Sequence, residues 1–265
     1  MVSSIIGGLI TKGYPAANII ASAPSRKNLD TLEASYHIRT CNHNHQAAHD
    51  AGVLILGVKP QLLQAVCEDL AQELTHRPLI ITIAAGVETA QIDQWLGGGF
   101  AIIRCMPNTP ALVLQGASGL YATAQVNNEQ RQLAEQIFSS VGIVEWVEEE
   151  ENMHVVTALS GSGPAYFFLI MEAMEEAAVK AGIPASSARK LAIQTILGAA
   201  EMAKQSHLEP AQLKRNVMSP GGTTERAIKT FEEKGLKDIF NQAIEAATAR
   251  SKELSEILGS KTIKN

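Results

Sequence analysis

The chain has 265 residues, 46% hydrophobic and 18% charged, which is enough for a large core in one or two domains. Its formal net charge of -5 argues against a basic nucleic-acid-binding surface, and no run of eighteen consecutive apolar residues marks a membrane span. No basic stretch precedes an apolar run at the N-terminus, so no signal peptide is expected; Cys41, Cys67 and Cys105 stand singly, as buried reduced thiols of a cytoplasmic protein do.

The opening "MVSSIIGGLITKG" reads as a helix, with Ile5, Ile6, Leu9 and Ile10 at helical spacing and Gly13 at its C-terminal end. Gly7 and Gly8 in its middle each cost about 1 kcal/mol relative to Ala, which implies a neighbour pressed against the backbone. Beyond it the spacing predicts strands at 18–23, 37–41, 52–59, 79–86, 101–107, 119–123 and 143–147, and helices at 25–35, 61–74, 88–96 and 128–140. Strands alternating with helices predict a parallel, doubly wound sheet. From 151 onward no strand is legible, and helices are expected at 151–158, 163–181, 185–206, 210–216, 220–234 and 236–257. The polar run "VEEEEN" (147–152) marks the join, giving domains 1–149 and 150–265. Trp95, Trp146 and the methionines read as core. In "NHNHQAAH" (42–49) His45 and His49 are four apart without a carboxylate or Cys at ligand spacing, so a surface segment is expected and no metal.

Three stretches fall at the carboxyl ends of expected parallel strands, where open α/β sheets bind ligands: "VKPQ" (58–61), "AAG" (84–86) and "RCMPNTP" (104–110), the last with Asn108 and Thr109 as hydrogen-bonding groups. Together they predict a cofactor crevice. After the first expected strand, "SAPSRK" (22–27) offers Ser25, Arg26 and Lys27 where an NAD enzyme would carry an acid. A hydroxyl and cations suit a 2′-phosphate and favour NADPH over NADH; the competing reading is an exposed basic helix start.

In "RNVMSPGGTTERAIKTFEE" (215–233), Ser219 is expected as N-cap and Pro220 at the first helical position. Gly221 and Gly222 would leave backbone N–H groups uncovered, and Thr223 and Thr224 add hydroxyls, which makes a site for a carboxylate unless the stretch only starts a helix. In "ALSGSGPAYFFLIMEAM" (158–174), Gly161 and Gly163 flank Ser162 and permit close approach by a ligand or, equally, a packed neighbour. Glu148 to Glu151 read most simply as a solvated linker.

"SGSGPAYFF", "RCMPNTP", "VKPQ" and "NVMSPGGTTERAI", in this order, resemble the pyrroline-5-carboxylate reductases, and the likeness runs from residue 1 to about 257. The resemblance implies an α/β Rossmann-type NADPH-binding domain and an all-α dimerising domain, with dimers that assemble up to decamers. It implies hydride transfer from NADPH, or NADH, to 1-pyrroline-5-carboxylate, giving L-proline in the cytoplasm. Cofactor contacts carried over are Ser25 at the 2′-phosphate, Asn44, Val58, Lys59, Pro60, Ala85 near the nicotinamide ribose, and Asn216; Arg26 and Asn108 join them from the reading above. Glu150 carries over as a substrate-contacting acid, and Gly222, Thr223 and Thr224 as the groups holding the substrate carboxylate and ring nitrogen. Thr224 is the candidate catalytic residue, hydrogen-bonding the product amine; a hydroxyl is a poor general acid near neutral pH, so relay by water or a substrate already protonated is an equal route. The resemblance also places a strand and a G-x-G-N-M-like turn directly before the opening helix, with Met1 at that turn's Met, so coding sequence is expected to continue upstream. Two other readings stay open: a cofactor-poor, non-catalytic oligomer, and a related NADP-dependent enzyme for another imine or a hydroxy acid.

Overall fold

The structure, a computed structural model, describes residues 1–260; the last residues of the expected helical domain, 261–265, lie outside the described residues. Helix α1 (Val2–Thr11) buries Ser4, Ile5, Ile6 and Gly8. It stops where Gly13 takes a left-handed φ of 88°. The Gly13 N–H donates to Ile10 O (2.9 Å) and the Tyr14 N–H to Leu9 O (3.0 Å), a glycine-dependent helix stop. A β-carbon on Gly7 would lie 2.7 Å from Tyr36 Oη, and one on Gly8 would lie 2.7 Å from the Ser140 carbonyl oxygen. The two mid-helix glycines therefore answer to close neighbours on different sides.

Strand β1 (Ile20–Ser22) leads through α2 (Arg26–Tyr36) to β2 (Arg39–Cys41), and the two strands form a parallel pair. A short helix α3 (Asn44–Ala48), absent from the sequence reading, follows. Next come β3 (Val53–Leu56), α4 (Pro60–Leu70), β4 (Leu79–Thr82), α5 (Thr89–Trp95), β5 (Ile102–Met106), β6 (Gly116–Ala122), α6 (Asn128–Ser139) and β7 (Gly142–Trp146). The last five strands form a second sheet in the order β3-β4-β5-β6-β7. One pairing departs from the all-parallel expectation: β6 runs antiparallel to β5, with Cys105 opposite Leu120. Only a 3₁₀ turn (Thr109–Val113) joins them, too little chain for the crossover that a parallel pair requires.

Side chains of β4 alternate between two cores. Ile80 packs with Leu63, Cys67, Leu70 and Ile92 on one face, and Ile81 with Ile5, Ile103 and Phe138 on the other. A strand buried on both faces is continuously apolar, and each fully buried Ile contributes about 1.5–3 kcal/mol. All three cysteines are buried and free.

Helix α7 (Asn152–Val156) runs through a π-helical turn (Thr157–Gly161) into α8 (Gly163–Lys180), where a break between two helices was expected. By length and composition alone, Asn152–Lys180 could cross a membrane, which counting consecutive apolar residues does not reveal. Then follow α9 (Ala185–Gln205), α10 (Pro210–Asn216), α11 (Thr223–Glu233) and α12 (Leu236–Ser260). The chain forms two compact units: Met1–Pro164 together with the chain from Ala246 onward, and Ala165–Glu245. In the second unit, α8 and α9 are clasped by Arg189, whose Nε and Nη2 each donate to Glu175 at 2.9 Å. Met174 and Met202 are exposed rather than core, because they lie on the open apolar faces of these helices.

Candidate functional site

In the first unit the parallel register sets Leu56 of β3 level with Thr82 of β4, and Thr82 level with Arg104 of β5. The segments that follow these strands therefore leave the sheet at one edge. Val58, Lys59 and Pro60 follow β3; Pro60 opens α4 and Lys59 precedes it with no side chain capping the helix. Gly57 lies against the Val2 side chain, which brings the first turn of α1 to the end of β3. In that turn Ser4 Oγ is buried without a hydrogen-bond partner. Ala85 sits between β4 and α5, beside Gly86 at φ 73°. The uncapped α4 start, the lysine and the unpartnered hydroxyl fit an anionic dinucleotide along this edge.

Ser25 caps α2, its Oγ accepting the Lys27 N–H at 3.3 Å. Arg26 is paired within the fold: it donates to Asp30 (2.9 Å), Glu33 (2.9 Å) and Thr40 Oγ1 (3.1 Å). The Thr40 hydroxyl and then Arg26 hold the Glu33 carboxyl below its usual range. Asn44 begins α3 and accepts the Ser22 hydroxyl at 2.7 Å. The α3 and α4 helices are tied by His45 Nε2, 3.0 Å from Asp69.

Asn108 is buried and used internally. Its Oδ1 accepts the Ala117 N–H (2.9 Å) and its Nδ2 donates to Ser160 O (3.1 Å), so it staples the start of β6 to the π-helical turn. That turn is closed by the Ser162 N–H donating to Thr157 O at 2.8 Å. The side chain of Met106 lies where Gly161 would carry a β-carbon, at 2.6 Å. Of the Ser-Gly-Ser-Gly stretch, this glycine is accounted for by packing.

The acidic join is not merely solvated. Glu150 accepts from the Thr89 N–H (2.8 Å), the Thr89 hydroxyl (2.6 Å) and Arg104 Nη1 (3.1 Å). Arg104 is 2% exposed. Beside it buried His154 makes a 2.9 Å hydrogen bond to Ser251 Oγ, and Lys252 pairs with Glu151. Burial, then the Arg104 charge, pushes the His154 imidazole below its ordinary value. Thr89, Arg104 and His154 escaped the sequence reading. An arginine inside the apolar strand "AIIRCMP" was the one available signal, since a buried cation demands a partner.

In the second unit, helix α11 starts at Thr223 with Gly222 as N-cap, not at Pro220 with Ser219 as N-cap. The physical reason is a tight turn: the Gly222 N–H donates to Ser219 O (2.9 Å), Pro220 takes the first corner, and Gly221 the second at φ 73°, which no helix admits. The Gly221 N–H donates instead to Glu225 Oε2 at 2.6 Å. Thr223 and Thr224 occupy the first two helical positions, whose N–H groups have no partner within the helix. Asn216 closes α10, its Oδ1 accepting from Gln212 at 2.8 Å.

Comparisons with known proteins match residues 150–254 to pyrroline-5-carboxylate reductase dimerisation, and residues 1–86 to NADP oxidoreductase, coenzyme F420-dependent. A pyrroline-5-carboxylate reductase of Pseudomonas aeruginosa is 49% identical over 98% of this chain and 95% of its own length. The chain belongs to the pyrroline-5-carboxylate reductase family. The solved pyrroline-5-carboxylate reductase of Coxiella burnetii superposes with a TM-score of 0.93 at 44% identity, covering 96% of this chain and 94% of that one. The Plasmodium falciparum pyrroline carboxylate reductase, solved with NADP bound, superposes at 0.84 and 30% identity, covering 96% and 94%. The fold is therefore the reductase family's own, a Rossmann-type sheet followed by a helical dimerisation region. Ser25, Arg26, Asn44, Val58, Lys59, Pro60 and Ala85 fall within the NADP oxidoreductase match; Glu150, Asn216, Gly222, Thr223 and Thr224 fall within the reductase dimerisation match.

Proposed function

We propose that this member of the family reduces 1-pyrroline-5-carboxylate to L-proline, the last step of L-proline biosynthesis, with the residues named above in the following roles. Reduced nicotinamide, as NADPH or NADH, supplies the hydride when bound. Val58, Lys59 and Pro60, between the end of β3 and the start of α4, lie along its length. Ser25 and Arg26 lie at the 2′-phosphate, Ala85 near the nicotinamide ribose, and Asn44 and Asn216 add contacts to the cofactor. Asn108 serves through the backbone it staples. Gly222, Thr223 and Thr224 hold the substrate carboxylate on the N-terminus of α11, and Glu150 stands at the substrate's side. Thr224 Oγ1 hydrogen-bonds the ring nitrogen, which keeps the imine oriented and its proton in place.

The observation that carries this reading is the uncapped start of α11, where free N–H groups and two threonine hydroxyls adjoin. NADPH oxidation on adding 1-pyrroline-5-carboxylate tests it. Thr224→Val should lower kcat/KM for the imine about tenfold, the size of one hydrogen bond to a charged group, while the KM for NADPH stays put. No oxidation by the wild-type chain would sink the assignment.

The chain acts as a homo-oligomer, and domains 1–149 and 150–265 divide its labour between cofactor and substrate. A homodimer fits the apolar helix faces of the second unit: Phe167, Phe168, Leu169 and Leu197 are each more than half exposed. A second copy on that face also accounts for the apolar character of α8 without a membrane, in a cytoplasmic enzyme. Dimers assemble further into decamers. Sedimentation at micromolar concentration distinguishes a dimer from a decamer.

A further inference from the structure

We propose that Glu150 is a positioning residue: its carboxylate, backed by Arg104, fixes the β4–α5 loop that carries Ala85. The inference rests on the cofactor placement proposed above. Glu150 reaches the first residue of α5 twice, through the Thr89 N–H at 2.8 Å and the Thr89 hydroxyl at 2.6 Å. The N-terminal end of a helix favours a negative charge, so the bond to that N–H is reinforced by the helix itself. Arg104 comes from the neighbouring strand, and its buried guanidinium donates to the same Oε1 that receives the Thr89 N–H.

The loop before Thr89 is held at other points as well. The Ala84 N–H donates to Thr82 Oγ1 (3.2 Å), and Ser255 Oγ donates to Glu88 Oε1 (3.2 Å). Leu254 and Leu258 of α12 lie within 3.6 Å of the place a Gly86 β-carbon would take. Ala85 stands between the Thr82 anchor and the Glu150 anchor. A carboxylate that accepts two hydrogen bonds from Thr89 and one from Arg104 holds the end of the loop firmly. Loss of the clamp should therefore be felt by the nicotinamide side of the site before the imine side.

The test uses the full chain and compares Thr89→Val with Thr89→Ser. Thr89→Val keeps size and the backbone N–H but removes the hydroxyl that reaches Glu150. It should raise the NADPH dissociation constant, read by nicotinamide fluorescence, about tenfold, with the KM for 1-pyrroline-5-carboxylate within about twofold of wild type. Thr89→Ser, which restores the hydroxyl, should return NADPH affinity to wild type. An unchanged NADPH affinity in Thr89→Val, a shift confined to the imine KM, or no recovery in Thr89→Ser would each overturn the inference. Should Thr89→Val not fold, Thr89→Ala carries the same requirement, since it too removes the hydroxyl that reaches Glu150 and keeps the backbone N–H. A wild-type chain that binds NADPH yet leaves the imine unreduced refutes the assigned activity, while the NADPH affinities still decide the role of Glu150.

Discussion

Gly8 of α1 and Ser140 at the end of α6 meet with no room for a side chain between them. A β-carbon on Gly8 would lie 2.7 Å from the Ser140 carbonyl oxygen and 2.6 Å from Val141 Cγ1. Alanine favours a helix by about 1 kcal/mol over glycine, but forcing α1 from its neighbours costs about 1–3 kcal/mol. Gly8→Ala should therefore lower stability in urea denaturation. Gly7→Ala meets the far end of Tyr36, which can turn away, and should be close to neutral. Equal effects at the two positions would contradict this account.

Asn108→Ala should cost about 1–3 kcal/mol of stability, because it strands the Ala117 N–H and the Ser160 carbonyl without partners. Asn108→Asp keeps the acceptor for Ala117 but sets a carboxylate against the Ser160 carbonyl, so it should not rescue the loss. Thermal denaturation distinguishes the two expectations; a fully stable Asn108→Asp would mean the Ser160 bond contributes nothing.

His154 should make the fold sensitive to mild acid. Burial is the main cause of its lowered pKa, Arg104 adds to it, and Glu151 opposes. Above its ordinary value of 6.5 the imidazole is neutral in the folded and unfolded chain alike and pH has no hold on it. Below 6.5 the unfolded chain takes a proton that the folded imidazole resists, so stability falls as pH drops until the folded group is protonated too. Replacing His154 with Gln should flatten the melting temperature between about pH 7 and 5. The lowered carboxyl of Glu151, held by Lys252, acts at more acidic pH and does not confound this window. An unchanged slope in His154→Gln would assign the acid sensitivity elsewhere.

Glu225 presents a carboxylate to the Gly221 N–H, beside the N–H groups proposed for the substrate carboxylate. Two anions at one helix start repel, so Glu225→Gln should lower the KM for 1-pyrroline-5-carboxylate several-fold, about the worth of one screened charge. Steady-state kinetics at low and high salt check this, the advantage shrinking as salt rises. A raised KM would show Glu225 to be an asset to substrate binding.

Much of this architecture was legible in advance. Apolar runs gave β3, β4 and β5, and the burial of β4 and β5 on both faces removes polar alternation there, while β3 at the sheet edge is only partly buried; the paired glycines of α1 announced close neighbours. Local turn chemistry defeated the expectation at α11, since Pro220-Gly221 is as good a tight turn as Ser219-Pro220 is a helix start, and the positive φ of Gly221 settled the contest. The π-helical turn was not legible because its cause is tertiary: Met106 and Asn108 come from the end of β5. The same holds for the partners of Glu150: the family resemblance singles out the residue, but its neighbours on either side are equally acidic and say nothing of Thr89 or Arg104. What sets Glu150 apart from Glu149 in the fold is Arg104, forty-six residues earlier in the chain.

The sparse interior of the second unit has a consequence for how this protein survives in solution. Of its described residues only Ala188 and Ala192 are buried apolar ones, while Leu191, Leu197 and Met202 stand open to solvent. Two alanines supply little of the burial that a helical bundle of this size requires, so most of its stability must come from association. Each tenfold rise in protein concentration should then add about 1.4 kcal/mol per dimer and raise the unfolding midpoint, whereas a midpoint constant across that range would mean the helices stand alone. For such a chain, dilution is itself a denaturant.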